Sequence, residues 1–435
     1  MLLRPWPGAD PARIALAFEG PGTVWLDGNG GTPEQRRFSY WAADPVETFR
    51  VRWGEPVPWG DLDRLGLEAR DGTESANGMR VPRWIGFIAY DAAWSGRAGA
   101  RLRRPDSDVV WFGRFDAVLV HDAAEGAWYV AADDDAAAER LEARLRRAPA
   151  SRYPQHARPV IHEPDERAHL AAIDKALDHI ARGNVYQVNL ARQWTATFDG
   201  RALDLALAMR RASPVPFGFL LDTGEMSVVA RSMETFLAWD GTTIRTRPIK
   251  GTVPSTPQTV EPQAAALRSN DKERAEHAMI VDLMRNDLGR LAQPGTVAVE
   301  ETMCVEPYAK LSHLVSTVRA ETRPDVGVGA ILEATFPPGS VTGAPKIRAV
   351  ELIEALEAAP RGVYTGAFGY VDRAGGLSLA VAIRTAVLRD GEVAYYAGGG
   401  IVEASQPASE VEETNLKAAV FFDALASLAT DRPSA

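Results

Sequence analysis

Apolar residues recur at helical spacing at Leu170, Ile173, Leu177 and Ile180, and Gly183 closes the run. The stretch predicts an amphipathic helix followed by a strand over 185–194. Residues 236–239 and 242–246 flank Asp240-Gly241, the signature of a two-residue type I′ turn, and predict a β-hairpin. Residues 377–388 and 392–401 flank Asp390-Gly391 in the same way, which sets Arg384 opposite Ala397. Near the C-terminus Ser409 and Glu412 form an S-x-x-E capping box, and Leu416, Val420, Phe421 and Leu425 predict the buried stripe of the helix it starts. Another helix is predicted over 133–147, rich in Ala, Glu, Arg and Leu. Strands joined by tight hairpins mean antiparallel sheet, so the fold class is α+β.

Turn punctuation at Gly28-Asn29-Gly30-Gly31, Asp71-Gly72 and Asn77-Gly78 divides a strand-rich N-terminal region, residues 1–150. Prolines at 149, 154, 159 and 164 mark a linker or extended crossing over 148–164, and residues 165–430 follow as the region that carries the chemistry. The 435 residues are 46% hydrophobic, ample for a core, and the formal charge of −10 argues against a nucleic-acid or anionic-membrane partner. A single cysteine, Cys304, excludes internal disulfides and thiolate metal cages; it is expected to be an inert buried thiol. Residues 1–18 lack the apolar run of a signal peptide, and charges interrupt every stretch that could span a bilayer. A cytoplasmic enzyme with no membrane partner is therefore expected.

The candidate chemistry centres on Lys250 in Pro248-Ile249-Lys250-Gly251-Thr252, where a proline ends a ladder and a glycine permits a bend or a close ligand. A lysine at a strand end is ordinarily a solvated charge. Two acidic pairs of identical spacing, Glu273 with Glu276 and Glu410 with Glu413, each place two carboxylates on one helix face. Such pairs are ordinary helix-start chemistry or, if they converge, an oxygen-rich site for a hard cation. Three glycines in a row, Gly398, Gly399 and Gly400, mark a flexible loop or a close ligand approach beside Arg384, with bared backbone N–H groups. Pro345 suits a first helical position, so the helix after it would aim free N–H groups at an anion. With Asp240-Gly241 as the turn, strict register places Lys250 on the face opposite Glu234, so a kink or bulge is required between Arg247 and Gly251 if both are to share a pocket.

The strings over 183–190 (GNVYQVNL), 280–288 (IVDLMRNDL), 338–346 (PGSVTGAPK) and 397–402 (AGGGIV), followed by Ser409-Glu410 to Lys417, resemble the chorismate-utilising enzyme family. That family includes the large subunits of anthranilate synthase and aminodeoxychorismate synthase, isochorismate synthases and salicylate synthases. The resemblance covers about residues 165–425. It implies two packed antiparallel sheets flanked by helices, as in anthranilate synthase component I, with the pocket at their edge. Gln187 stands where water-using members carry a lysine base, and Lys250 stands where the aminodeoxychorismate branch carries a lysine. The pair therefore resembles that branch, which replaces the ring hydroxyl of chorismate with an amine on the way to 4-aminobenzoate and folate.

The resemblance further implies roles. Glu234 matches the acid that protonates the departing hydroxyl, Lys250 the nucleophile that forms a covalent adduct, and His313 a histidine near the reacting ring. Glu276 and Glu413 match ligands of Mg2+, with Glu273 and Glu410 reaching it through water. Ser340, Tyr364, Arg384 and Lys417 match substrate contacts. A nucleophilic lysine needs its pKa lowered by burial or by neighbouring cations, for which Arg245 and Arg247 are candidates. Nothing in the sequence resembles a glutaminase or a lyase, so ammonia is expected from solution or from a separate glutamine amidotransferase subunit. Relatives often bind tryptophan in an N-terminal pocket; Trp25-Leu26-Asp27-Gly28 matches that motif loosely. Competing readings are an anthranilate synthase component I, a member serving antibiotic biosynthesis, and a silent paralogue that binds chorismate or tryptophan to regulate a partner.

Overall fold

The computed structural model describes residues 1–8, 10–67, 78–96, 107–148, 159–254, 259–307 and 311–430. Within them the strands gather into two antiparallel sheets, one of twelve strands and one of ten, with helices on their faces. The fold class is α+β. Both sheets draw strands from before residue 150 and after residue 165. Asp71, Gly72, Asn77 and most of the anticipated linker lie outside the described residues.

Period-two alternation explains how the larger sheet is covered on both sides. Val24, Leu26, Phe219, Leu221, Val228 and Ala230 enter a core shared with the second sheet. Their neighbours Trp25, Leu220 and Val229 join a different core, built with the helices Asp135–Arg146, Ala202–Ala212 and Pro407–Thr430. The helix expected over 133–147 is Asp135–Arg146, capped by Asp134, whose side chain accepts from the Ala137 N–H at 2.8 Å. The helix Glu166–Ala181 ends as expected, with Gly183 left-handed at φ 73° behind it.

Three expectations are corrected. Ser409 and Glu412 do not start the last helix, because it begins at Pro407; its buried stripe runs through Val411, Ala418, Phe421 and Leu425, leaving Leu416 68% exposed. The segment 377–388 is two strands, Leu377–Val381 in one sheet and Thr385–Arg389 in the other, broken at Ala382-Ile383-Arg384. Cys304 is exposed, since among the described residues its strand Ala298–Pro307 pairs only with Leu311–Glu321, and two register shifts interrupt its alternation.

Candidate active site

The hairpin that delivers Lys250 is formed by Thr235–Trp239 and Thr243–Arg247. Its turn is centred one residue later than expected, on Gly241-Thr242, because the Asp240 carboxylate accepts from the Thr242 and Thr243 N–H groups at 3.0 and 2.7 Å and Gly241 takes φ 100°. A bulge between Thr235 and Ala238 absorbs the offset. Beyond it the required break is present. Thr243–Arg247 ends at Pro248, a new strand Ile249–Pro254 begins on the same partner strand Leu311–Glu321, and its register shifts between Lys250 and Thr252 around Gly251 at φ 68°. Two irregularities thus cancel the face problem, and Lys250 and Glu234 line one cavity of about 490 Å3.

Glu234 and Arg384 occupy two of the places where the chain crosses from one sheet to the other. Ser227–Ser232 lies in the larger sheet and Thr235–Trp239 in the smaller, with Met233-Glu234 between them; Ala382-Ile383-Arg384 makes the reverse crossing alongside. The crossings are tied by the Val381 N–H donating to the Glu234 carbonyl at 3.0 Å and the Arg231 N–H donating to the Arg384 carbonyl at 3.1 Å. Arg384 sits at φ 52°, a left-handed backbone that ends the ladder before it can pair with Ala397. A non-glycine residue held in that conformation inside a cavity wall is a local cost borne at a site of function.

Burial pushes the Glu234 carboxyl up to about 7, against the Ser340 hydroxyl that bonds it and the nearby Lys250. Burial likewise pulls the Lys250 amine below its ordinary value; Glu276 opposes this and Lys417 reinforces it. Arg245 and Arg247 do not take part. Arg245 is paired with Glu300 at 3.2 Å, and Arg247 is bound to Glu306 and Thr317, both on the far side of the strand break. His313 lines the same cavity and is held neutral by burial and by Arg384, with its pKa lowered to about 4. Tyr364 is buried and stacks on Tyr396 with ring centroids 5.2 Å apart.

The helices Asp271–Gly289 and Pro407–Thr430 bring Glu273, Glu276, Glu410 and Glu413 to the cavity wall. Lys417, one turn beyond Glu413, holds that carboxylate at 2.5 Å and donates to the Gly398 carbonyl at 2.7 Å. The Lys417 carbonyl in turn accepts from the Arg384 guanidinium and from the Tyr395 hydroxyl. No three carboxylates among the described residues are gathered into a ready metal cage. Four glutamates with no thiolate are nonetheless donors of the kind that a hard, oxygen-ligated cation takes.

The glycines are not a loop, but Gly398 and Gly400 oppose Ala191 and Asn189, whose N–H groups go to Glu357 and Thr342, so the N–H groups of these two glycines face away from the partner strand as expected. Gly398, Gly399 and Gly400 lie in the strand Glu392–Ile401, paired with Ala191, Leu190 and Asn189 of Gln187–Thr197. Their contribution is space. A Cβ on Gly398 would meet the Leu190 carbonyl oxygen at 2.7 Å, one on Gly399 the Glu410 carboxylate at 3.0 Å, and one on Gly400 the Gln187 amide at 2.6 Å. The expected anion-binding helix is also corrected. Pro345 caps Lys346–Leu356 from outside, the cavity lining from this segment ends at Ser340 and Val341, and the Lys346 ammonium is spent on Asp287 at 2.5 Å and the Thr335 carbonyl at 2.7 Å.

Sequence reasoning missed Asn189, Thr365 and the pair Arg361–Glu357, all at or behind this wall. Arg361 is buried against Glu357 at 2.7 Å and also donates to the carbonyls of Asn189 and Val341 at 2.9 Å each. Glu357 accepts from the Ala191 N–H at 2.8 Å. Asn189 lies within the 183–190 stretch (GNVYQVNL); Arg361 and Glu357 carry no local signal, since only tertiary packing joins them. Leu26, Asp27 and Gly28 line a separate cavity of about 330 Å3, with Asp27 paired to Arg210 at 2.9 Å and Arg231 at 3.0 Å.

A sheet-crossing acid held neutral to about pH 7, a buried amine and four facing carboxylates make an enzyme site for a small acidic substrate. The chain belongs to the family of chorismate binding enzymes, whose model matches residues 24–423. It is 40% identical over 438 residues to an aminodeoxychorismate synthase of Streptomyces griseus, covering 95% of this chain and 59% of that protein. It is 41% identical over 239 residues to aminodeoxychorismate synthase component 1 of Escherichia coli K12 (54% and 53%), and 40% identical over 309 residues to anthranilate synthase component 1 of Streptomyces coelicolor (67% and 60%). The chain thus spans a little over half the length of these relatives. Among solved structures, anthranilate synthase component I of Streptococcus pneumoniae superposes with a TM-score of 0.78 at 27% identity, covering 88% of this chain and 92% of that one. The menaquinone-specific isochorismate synthase of Escherichia coli shares the fold, with a TM-score of 0.76 at 20% identity over 98% and 94% of the two chains.

Proposed function

We propose that this chain acts as an aminodeoxychorismate synthase component I, converting chorismate and ammonia to 4-amino-4-deoxychorismate and water. The observation that carries the reading is the convergence of Lys250 and Glu234 on one cavity despite a strand register that would separate them. Glu234, with its pKa near 7, donates a proton to the C4 hydroxyl, which leaves as water. The neutral Lys250 amine forms a bond to C2 as the C4–O bond breaks, and the two conjugated ring double bonds shift between those carbons. Ammonia then forms the C4–N bond, the double bonds shift back, and the C2–N electron pair returns to Lys250.

Arg384, Tyr364, Ser340 and Lys417 would hold the two carboxylates and orient the ring, and His313 would stay neutral against it. Glu276 and Glu413 would hold Mg2+, with Glu273 and Glu410 reaching it through water. The ion, when bound, would supply positive charge to the ring carboxylate. Ammonia would come from solution or from a glutamine amidotransferase subunit.

A second reading, anthranilate synthase component I, is favoured by the 40% identity to the Streptomyces coelicolor relative and is tested in the same assay. With chorismate, ammonium and Mg2+, the proposal expects 4-amino-4-deoxychorismate, detected as 4-aminobenzoate once a lyase is added. Anthranilate fluorescence with no lyase present would overturn it.

A further inference from the structure

Gln187 is fully buried, and among the described residues neither its amide oxygen nor its amide nitrogen has a hydrogen-bond partner. Leaving a buried amide unpaired costs its full desolvation, so a native structure keeps one for a reason. Its direction supplies that reason. The point from which a Gly400 side chain would project lies 2.6 Å from Gln187 Nε2, 3.2 Å from Asn189 Oδ1 and 3.3 Å from Lys250 Nζ. Asn189 is anchored in this pose by its Nδ2, which donates to the Ser340 carbonyl at 3.2 Å, leaving its oxygen toward the same space. Two amides and the Lys250 amine therefore face one spot on the strand, and glycine alone keeps it open.

We propose that Gln187, supported by Asn189, is a positioning residue for the Lys250 nucleophile. Turned so that its oxygen faces the amine, the Gln187 amide accepts one N–H of neutral Lys250 and leaves the nitrogen lone pair aimed at the ring. An amide suits this task because it orients an N–H without carrying charge. A carboxylate at the same place would favour the ammonium form and suppress the nucleophile. The inference rests on the reading of Lys250 given above and assigns a residue that acts through it. No atom of Gln187 is transferred: the bond made is Lys250 N–C2, the bond broken is C4–O, and the proton comes from Glu234.

The test follows adduct formation in single turnovers by rapid quench and intact-protein mass spectrometry, with chorismate and Mg2+ but without ammonia, across pH. Gln187→Met should form the Lys250 adduct roughly 10- to 100-fold more slowly, with chorismate affinity unchanged, because a nearly isosteric side chain no longer steers the amine. Gln187→Glu should form it slowly near neutrality and move the acid limb of the rate profile to higher pH by a unit or more. The limb shift reports that position 187 lies within electrostatic reach of the amine, and the slowed Gln187→Met adduct rate at unchanged chorismate affinity separates positioning from a structural role. Wild-type rates in Gln187→Met, or an unmoved limb in Gln187→Glu, would overturn the inference while leaving the covalent reading intact. Absence of an adduct in the wild type would remove both.

Discussion

Glu234 shows how one side chain ties stability to chemistry. Its carboxyl stays protonated in the fold to about pH 7, whereas in the unfolded chain it ionises near 4.5. Between those values the unfolded state has released a proton that the folded state keeps, so this residue's contribution to stability falls as pH rises from about 4.5 to 7 and is flat above. Replacing Glu234 with Gln should therefore stabilise the protein relative to wild type by up to about 3 kcal/mol at pH 8 and by little at pH 4, measured by urea denaturation at both. The same change should lower kcat by roughly 10²–10⁴-fold, since the leaving hydroxyl loses its proton donor. A stability difference that does not change with pH would contradict the burial argument. That Lys250 and the acidic pairs would meet in one cavity followed from their local context together with the family resemblance. That Gln187 would be left without partners among the described residues was not legible in the sequence, because it depends on what packs around it.

At the scale of elements, the site is made by interruptions. Tight turns were readable where the chemistry is local, as at Asp390-Gly391, whose residues take φ 51° and 78° in the hairpin. The crossing at Ala382-Ile383-Arg384 was not readable, because the strands on either side of it are largely buried and no proline or glycine marks the break. The turn at Asp240 shifted by one residue because a side-chain carboxylate outcompeted the simple dipeptide rule. The strand Glu392–Ile401 gives a sharp test. Gly398→Ala would place a methyl 2.7 Å from a backbone carbonyl and 3.1 Å from the Tyr364 hydroxyl. We expect a loss of about 1–3 kcal/mol in unfolding free energy and a raised KM for chorismate. Behind this strand, Arg361→Leu would strand the buried Glu357 carboxylate and free two carbonyls. A loss of about 3–5 kcal/mol is expected by denaturant unfolding, and a change under 1 kcal/mol would refute the role given to the pair.

For the molecule as a whole, the two-sheet stack places its chemistry where strands switch sheets, with two helices closing the cavity by their acidic faces. The antiparallel α+β class followed from hairpin spacing alone, but the partition of strands between sheets did not, since long-range pairing leaves no mark on local pattern. A chain of net charge −10 with an anionic proposed substrate has to concentrate cations locally, and Arg384 and Lys417 supply two within the cavity that holds the neutral Lys250 amine. Mg2+, held as proposed, should raise the thermal midpoint by an amount that grows with the logarithm of its concentration over its Kd. Glu276→Gln should shrink that upshift without abolishing the fold, and an undiminished upshift would remove Glu276 from the cation site. The account as a whole stands or falls on a covalent bond at one nitrogen. Incubation with chorismate and Mg2+ in the absence of ammonia, followed by proteolysis and tandem mass spectrometry, should locate a mass increase of one chorismate less one water on Lys250, absent from Lys250→Ala. An unmodified Lys250 under turnover-competent conditions would contradict it.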